Sequence, residues 1–261
     1  MTKTQPAQQT PPAPEQRFSR NELVIGSAGV ERLRNSHVAV FGLGGVGGYA
    51  VEALARAGIG HLSLIDFDSF SLSNINRQLH ALDSTIGKPK VDVVAQRCLA
   101  INPQINLTHY NQRYSSINAD SLLATPYDYV LDCIDTISAK IDLIHQCRQR
   151  DLAIISSMGT ANKIDPTLVK VADLFHTEKC RLARIMRKEL RRRGIDSDVP
   201  VVYSREEYRP PLSAQPAHVR VSGDNWQQPP LGSIATIPSL FGIMMAGMVI
   251  KHLVEKIDAC V

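Results

Sequence analysis

Gly42-Leu43-Gly44-Gly45-Val46-Gly47 has the residue types and spacing to hold an anion. Glycines let backbone N–H groups approach a phosphate closely, and a helix N-terminus behind them adds unsatisfied donors and roughly half a positive charge. Asp66 ends the apolar run Leu62-Ser-Leu-Ile about 20 residues further on, where a carboxylate accepts hydrogen bonds from ribose hydroxyls. These features point to a nucleotide and leave its identity open. The next residues narrow the choice: Asp66-Phe-Asp68 is followed by Ser71-Leu-Ser-Asn74-Ile-Asn-Arg77-Gln78, and Lys90 stands at a helix start. A nicotinamide dinucleotide has only a diester pyrophosphate to neutralise. A triphosphate carries more charge, and Arg77 as a planar fork with Lys90 as a compact cation would suit its distal phosphates. The alternative for both cations is a solvated surface position, and spacing alone does not choose.

The elements around these residues must place them on one rim. Apolar runs alternate with helical patterns, the signature of crossover units and a parallel sheet. The run His37-Val-Ala-Val-Phe41 precedes the glycine turn, and Tyr49 to Ala57 reads as the helix after it. Residues 88–101 read as a helix, 105–108 as a strand, 129–134 as a strand, 138–150 as a helix and 153–157 as a strand. The expected fold is therefore α/β, a Rossmann-like, doubly wound, mostly parallel sheet with a C-terminal extension. Its ligands would lie outside the carboxyl ends of the strands, where Gly42, Asp66 and Asp135 all fall. After residue 160 the pattern weakens. Residues 178–193 read as a helix with Leu182, Ile185, Met186 and Leu190 on one face, Pro200 to Ser204 as a short strand, and 205–230 as a polar, proline-rich loop. The division expected is a tail over 1–16, a nucleotide-binding core over 17–160 and an extension over 161–261 packed on that core.

At 261 residues and 44% hydrophobic, the chain can bury a full core, and its formal charge of +4 is mild. Any polyanion site must then come from local clustering. Five cysteines with no C-x-x-C pair fit a reducing cytoplasm and exclude a zinc knuckle or disulfide framework. Residues 232–250 carry no charge, which meets the length criterion for a membrane span. A break at Pro238 would leave the remaining helix too short to cross, so a buried or interface helix is expected there rather than a membrane contact.

Taken together, Gly42-x-Gly-Gly-x-Gly47, Asp66-x-Asp68, Ser73-Asn74-x-Asn-Arg77-Gln78, Lys90 and Asp132-Cys-Ile-Asp135 resemble the adenylyltransferase fold of ubiquitin-activating enzymes, over about residues 17–160. Bacterial members of that superfamily activate the thiamine and molybdopterin sulfur carriers. The resemblance implies that Gly42, Gly44, Gly45 and Gly47, with Asp66, Asp68 and Gln78, form the ATP site. It implies that Asp66 holds the ribose, that Asn74, Arg77 and Lys90 contact phosphates, and that Asp135 holds Mg2+. It further implies a homodimer in which Arg20, from Arg17-Phe-Ser-Arg20, reaches the partner's nucleotide and stabilises charge on the transferring phosphorus.

Sulfur-carrier activators usually have paired zinc cysteines or a cysteine on a crossover loop, and neither is present here. Instead Ala53-Leu-Ala-Arg-Ala-Gly-Ile-Gly60, Asn76-Arg-Gln-x-His80-Ala-Leu82, Asp165-Pro-Thr-x-x-x-Val171-x-Asp173-Leu174, Val202-Tyr-Ser204-x-Glu206 and the segment around Phe241-Gly242 resemble the tRNA threonylcarbamoyladenosine dehydratases. That branch implies ATP-dependent cyclisation of a threonylcarbamoyl group on tRNA through an acyl-adenylate, with a sulfur-relay protein as a further candidate partner. Between residues 179 and 193 a basic run supports an RNA partner: Arg184, Arg187, Lys188, Arg191, Arg192 and Arg193 could track a phosphate backbone, and a solvated helix face is the plain alternative. Tyr203, Tyr208 and Trp226 could stack on a base or simply pack. Activation of the C-terminal glycine of a ubiquitin-like sulfur carrier is the second reading, and a nicotinamide-dependent oxidoreductase the third.

Overall fold

The computed structural model describes residues 16–210 and 231–255. Seven strands form one sheet: β1 His37–Phe41, β2 His61–Ile65, β3 Asn106–Tyr110, β4 Tyr129–Asp132, β5 Ile154–Ser157, β6 Val169–Asp173 and β7 Pro200–Ser204. Their spatial order is β3-β2-β1-β4-β5-β7-β6, parallel throughout except that β6 runs antiparallel to β7. β1, β4 and β5 are buried because helices cover both faces, which is why they read as mainly apolar runs, with Asp132, Ser156 and Ser157 as buried polar exceptions. The order reverses at β1, between β2 and β4, and that switch opens a crevice at the carboxyl ends.

Seven helices accompany the sheet among the described residues: α1 Ser19–Arg34, α2 Gly47–Ala57, α3 Lys90–Ile101, the single turn α4 Ala119–Leu122, α5 Ile137–Gln149, α6 Arg181–Arg191 and α7 Thr236–Glu255. One core cluster joins α2, α3 and α7 to one sheet face through residues such as Val38, Leu54, Leu62, Val94, Phe241 and Met245. The opposite cluster joins α5 and α6 through Phe41, Ile144, Leu143, Met186 and Leu190.

Three expectations change. The sheet has no boundary at residue 160: β7 pairs directly with β5 and β6 follows at the edge, so residues after 160 complete the sheet as well as packing on it through α6 and α7. β6 itself escapes the reading because it is a half-exposed edge strand that mixes Lys170 and Asp173 with its valines. The apolar helix is not broken at Pro238, since α7 begins at Thr236 and proline in a first turn costs no intrahelical hydrogen bond. At 20 residues α7 is long and apolar enough to span a bilayer. Its Ile237, Phe241, Met245, Val249 and Leu253, spaced four apart, are buried in the core. On α6, Ala183 replaces Ile185 in the buried stripe, and Ile185 is exposed.

Candidate active site

The crevice at the switch point is a cleft of about 430 Å³. β1 ends in Gly42 at φ 90°, where an added Cβ would lie 2.7 Å from the Cys133 carbonyl oxygen, so only glycine fits the turn. Gly42, Gly44 and Gly45 line the cleft. Gly47 does not: it opens α2, and a Cβ there would meet the Gly42 carbonyl oxygen at 1.8 Å. Its part is to let the turn close.

The end of β2 delivers Asp66, whose carboxylate is nearly buried and organised by backbone donors. Leu43 N–H donates to Oδ2 at 2.6 Å and Asp68 N–H to Oδ1 at 2.8 Å, so Asp66 ties the glycine turn to the loop after β2. Each carboxylate oxygen keeps a second lone pair for a ligand hydroxyl. Asp68 pairs with Lys90, Nζ to Oδ2 at 2.9 Å, and accepts the Lys90 N–H on its carbonyl. Lys90 is thereby buried at the start of α3 with its charge directed to the cleft wall.

A 3₁₀ turn at Leu72–Asn74 lies above this pair, with Asn74 Oδ1 accepting from Ser71 N–H. Arg77 follows, half-buried, its Nη1 donating to the Ser73 carbonyl and to Asn76 Oδ1. Gln78 is buried beside Gly44, with Oε1 making no protein hydrogen bond. Asn74, Arg77, Gln78 and Lys90 all line the same cleft as Asp66 and Asp68.

From the loop after β4 comes Asp135, an exposed carboxylate on the opposite lip, accepting from Thr136 Oγ1. Beneath it lies a fully buried ion pair, Lys140 with Asp132 at 2.9 Å, joined by Ser156. Among the described residues no group of three or more His, Cys, Asp or Glu side chains could form an all-protein metal cage.

Several lining residues carry no sequence signal. Arg113 stacks over Phe67 at 4.8 Å, and Gln112, Thr160, Ser233 and Pro238 complete the walls. Thr160 and Ser233 come from the loops after β5 and before α7, which Asn162 joins: Gly232 N–H donates to Asn162 Oδ1 at 2.7 Å. Apart from Pro238 in the first turn of α7, these are coil residues with no periodicity, so only three-dimensional proximity reveals them.

Arg20 is exposed in the first turn of α1 and does not line its own chain's cleft. The chain just before it is anchored elsewhere, by Arg17 Nη1 on the Ile101 carbonyl and Phe18 against Gly58. On α6 and just after it, Arg184, Lys188, Arg191, Arg192 and Arg193 lie exposed at the surface. Arg187 is turned inward instead, donating to the carbonyls of Leu174 and Thr177, which makes it a brace for the helix. Tyr203 is buried in β7, Tyr208 lies under Arg181 at 3.8 Å, and Trp226 falls outside the described residues. The start of α6 packs near the loop after β5: Leu182 Cβ is 3.9 Å from the site of a Cβ on Gly159, the residue before Thr160.

Residues 18–260 match the model of the ThiF family. A tRNA threonylcarbamoyladenosine dehydratase of Bacillus subtilis is 42% identical over 248 residues, covering 92% of this chain and 96% of its own. Molybdopterin-synthase adenylyltransferase of Salmonella typhimurium is 39% identical, over 142 residues that cover 54% of this chain and 57% of its own. Crystal structures of the Escherichia coli tRNA N6-threonylcarbamoyladenosine dehydratase in complex with AMP and with ATP superpose with TM-scores of 0.84 and 0.82 at 30% identity, covering 93% of this chain and 96% of theirs.

Proposed function

The chain belongs to the ThiF family and, within it, to the tRNA threonylcarbamoyladenosine dehydratases, and from that premise we propose how its cleft performs the reaction. It is an ATP-dependent enzyme that cyclises threonylcarbamoyladenosine in tRNA through an acyl-adenylate, losing the elements of water. The observation that carries this reading is the convergence of Gly42, Asp66, Arg77, Lys90 and Asp135 on one rim of the sheet.

A carboxylate is a poor electrophile. Its oxygen attacks the α-phosphorus of ATP, pyrophosphate leaves, and the resulting mixed anhydride has AMP as a good leaving group. The neighbouring carbamoyl group on the same nucleoside then attacks the activated carbonyl carbon and expels AMP. Because the nucleophile is built into the substrate, no cysteine is needed. Cys133 in the cleft wall would in any case be a poor nucleophile, because burial and the adjacent Asp132 push its thiol well above the ordinary range. Holding the two groups together supplies up to roughly 7–11 kcal/mol of the barrier reduction.

In this scheme Asp66 receives the ribose, the glycine turn offers backbone donors to the phosphates, and Arg77 with Lys90 offsets charge on the departing pyrophosphate. Asp135 suits Mg2+, which keeps several waters and takes its remaining oxygens from one or two carboxylates and from phosphates. The ion would supply neutralisation of the triphosphate. We read the working unit as a cytoplasmic homodimer, because Arg20 stands away from its own cleft and would serve the partner's. The outward cations of α6 offer tRNA a track leading past Leu182 and Thr160 to the cleft.

Exchange of labelled pyrophosphate into ATP tests the reading. Exchange that requires tRNA bearing the uncyclised nucleoside is the expected result, and exchange supported by a ubiquitin-like carrier protein in its place would overturn it.

A further inference from the structure

We propose that Lys140 is a positioning residue for Asp135, acting through a buried clamp on the peptide between them and β4. Nothing in the chemistry above uses this lysine, and a lysine with no exposed surface is rare enough to need a reason. Its Nζ lies 2.9 Å from Asp132 Oδ2 and donates to the Ile134 carbonyl oxygen at 3.0 Å. Asp132 Oδ1 accepts from Ile134 N–H at 3.2 Å, and Asp132 Oδ2 accepts from Ser156 Oγ on β5. The N–H and the C=O of Ile134 are therefore both held by members of one buried ion pair, and Ile134 is the residue to which Asp135 is joined.

Sequence spacing supports the same assignment. Asp132 closes β4, Asp135 stands three residues later, and Lys140 lies one helical turn into α5, on the face it shares with Ile137, Ile141 and Ile144. That face turns into the protein, so the ammonium reaches back under the loop instead of out to water. A surface lysine would leave the loop from Cys133 to Thr136 resting on its own backbone, and an exposed carboxylate on such a loop would sample many positions. The clamp fixes the backbone that carries it. Metal sites depend on outer contacts of this kind, whose loss typically weakens the ion by about 10- to 100-fold.

The inference rests on Asp135 as the magnesium ligand. Its test uses the full-length protein, a non-hydrolysable ATP analogue and Mn2+ as a paramagnetic probe titrated by electron spin resonance. Lys140→Met removes the donor to Ile134 but strands a buried carboxylate, so Asp132→Asn/Lys140→Met is made beside it to remove both charges. Circular dichroism and thermal unfolding select the variants that fold. The expected result is Mn2+ binding weakened about 10-fold in either folded variant, with AMP alone, which needs no metal, binding within about twofold of the wild type. Asp135→Ala serves as the reference for losing the ligand itself. Unchanged Mn2+ affinity in the folded double variant, alongside weakening in Asp135→Ala, overturns the clamp and leaves the metal assignment standing. Unchanged affinity in both overturns the assignment and the clamp with it. Equal losses for Mn2+ and AMP would reduce Lys140 to general support of the cleft and also overturn the proposal.

Discussion

His80 shows how a single side chain links the phosphate loop to the fold. It is buried, with its Nδ1 3.2 Å from where a Cβ on Gly48 would sit, so it packs the segment after Arg77 and Gln78 against the first turn of α2. Burial pushes its pKa down to about 4, against the pull of Glu52 at 3.8 Å and with the help of Arg97. The folded protein therefore keeps His80 neutral, while the unfolded chain protonates it near pH 6.5. Stability from this residue is complete above that value and is lost as pH falls from 6.5 toward 4, because the unfolded state then binds the extra proton. Relative to about pH 8, about 2 kcal/mol of it should be gone at about pH 5. Urea unfolding at the two pH values checks this: His80→Gln should lose correspondingly less on acidification, and equal losses in both proteins would remove His80 as the cause.

At the scale of elements, the crossing of α7 over α2 fixes one wall of the cleft. A Cβ on Gly242 would lie 2.2 Å from the Val46 carbonyl oxygen and 2.9 Å from Ala50 N, and Val46 itself faces the cleft. Gly242→Ala must push α7 outward or strain the start of α2. Overpacking of this kind costs about 1–3 kcal/mol, and AMP affinity should fall with the melting temperature. A variant that melts lower yet binds AMP like the wild type would uncouple the crossing from the site. Much of this architecture is legible in the sequence for a physical reason. Strands buried on both faces, such as β1 and β4, are mainly apolar, Asp132 being a buried exception that Lys140 neutralises, and the glycine turn must be glycine-rich for the chain to close. What escapes is whatever tertiary context decides. β6 mixes polar and apolar residues because it is an edge, Lys140 looks like an ordinary helical lysine, and Asn162 and Ser233 carry no pattern of their own. Arg187 turns inward for the same reason: its spacing matches its outward neighbours, but carbonyls from Leu174 and Thr177 lie within its reach.

For the whole molecule, the mild net charge means that a polyanion must be drawn by a local field, and the proposed source is α6. Neutralising Arg191, Arg192 and Arg193 together to serine should weaken tRNA binding uniformly and lower the slope of log affinity against log salt by about 2. An unchanged slope, read by filter binding across a salt series, would take α6 out of the interface. The proposed function joins three parts: a sheet rim for ATP, the basic helix α6 for tRNA, and a substrate that brings its own nucleophile. Activation of the tRNA carboxylate as an adenylate leaves a trace in the fate of its oxygen. When the threonyl carboxylate is labelled with 18O, its attacking oxygen stays on phosphorus and departs with AMP as the ring closes. Mass spectrometry should find one 18O atom in each AMP released. Label in inorganic phosphate, or AMP without label, would rule out the adenylate.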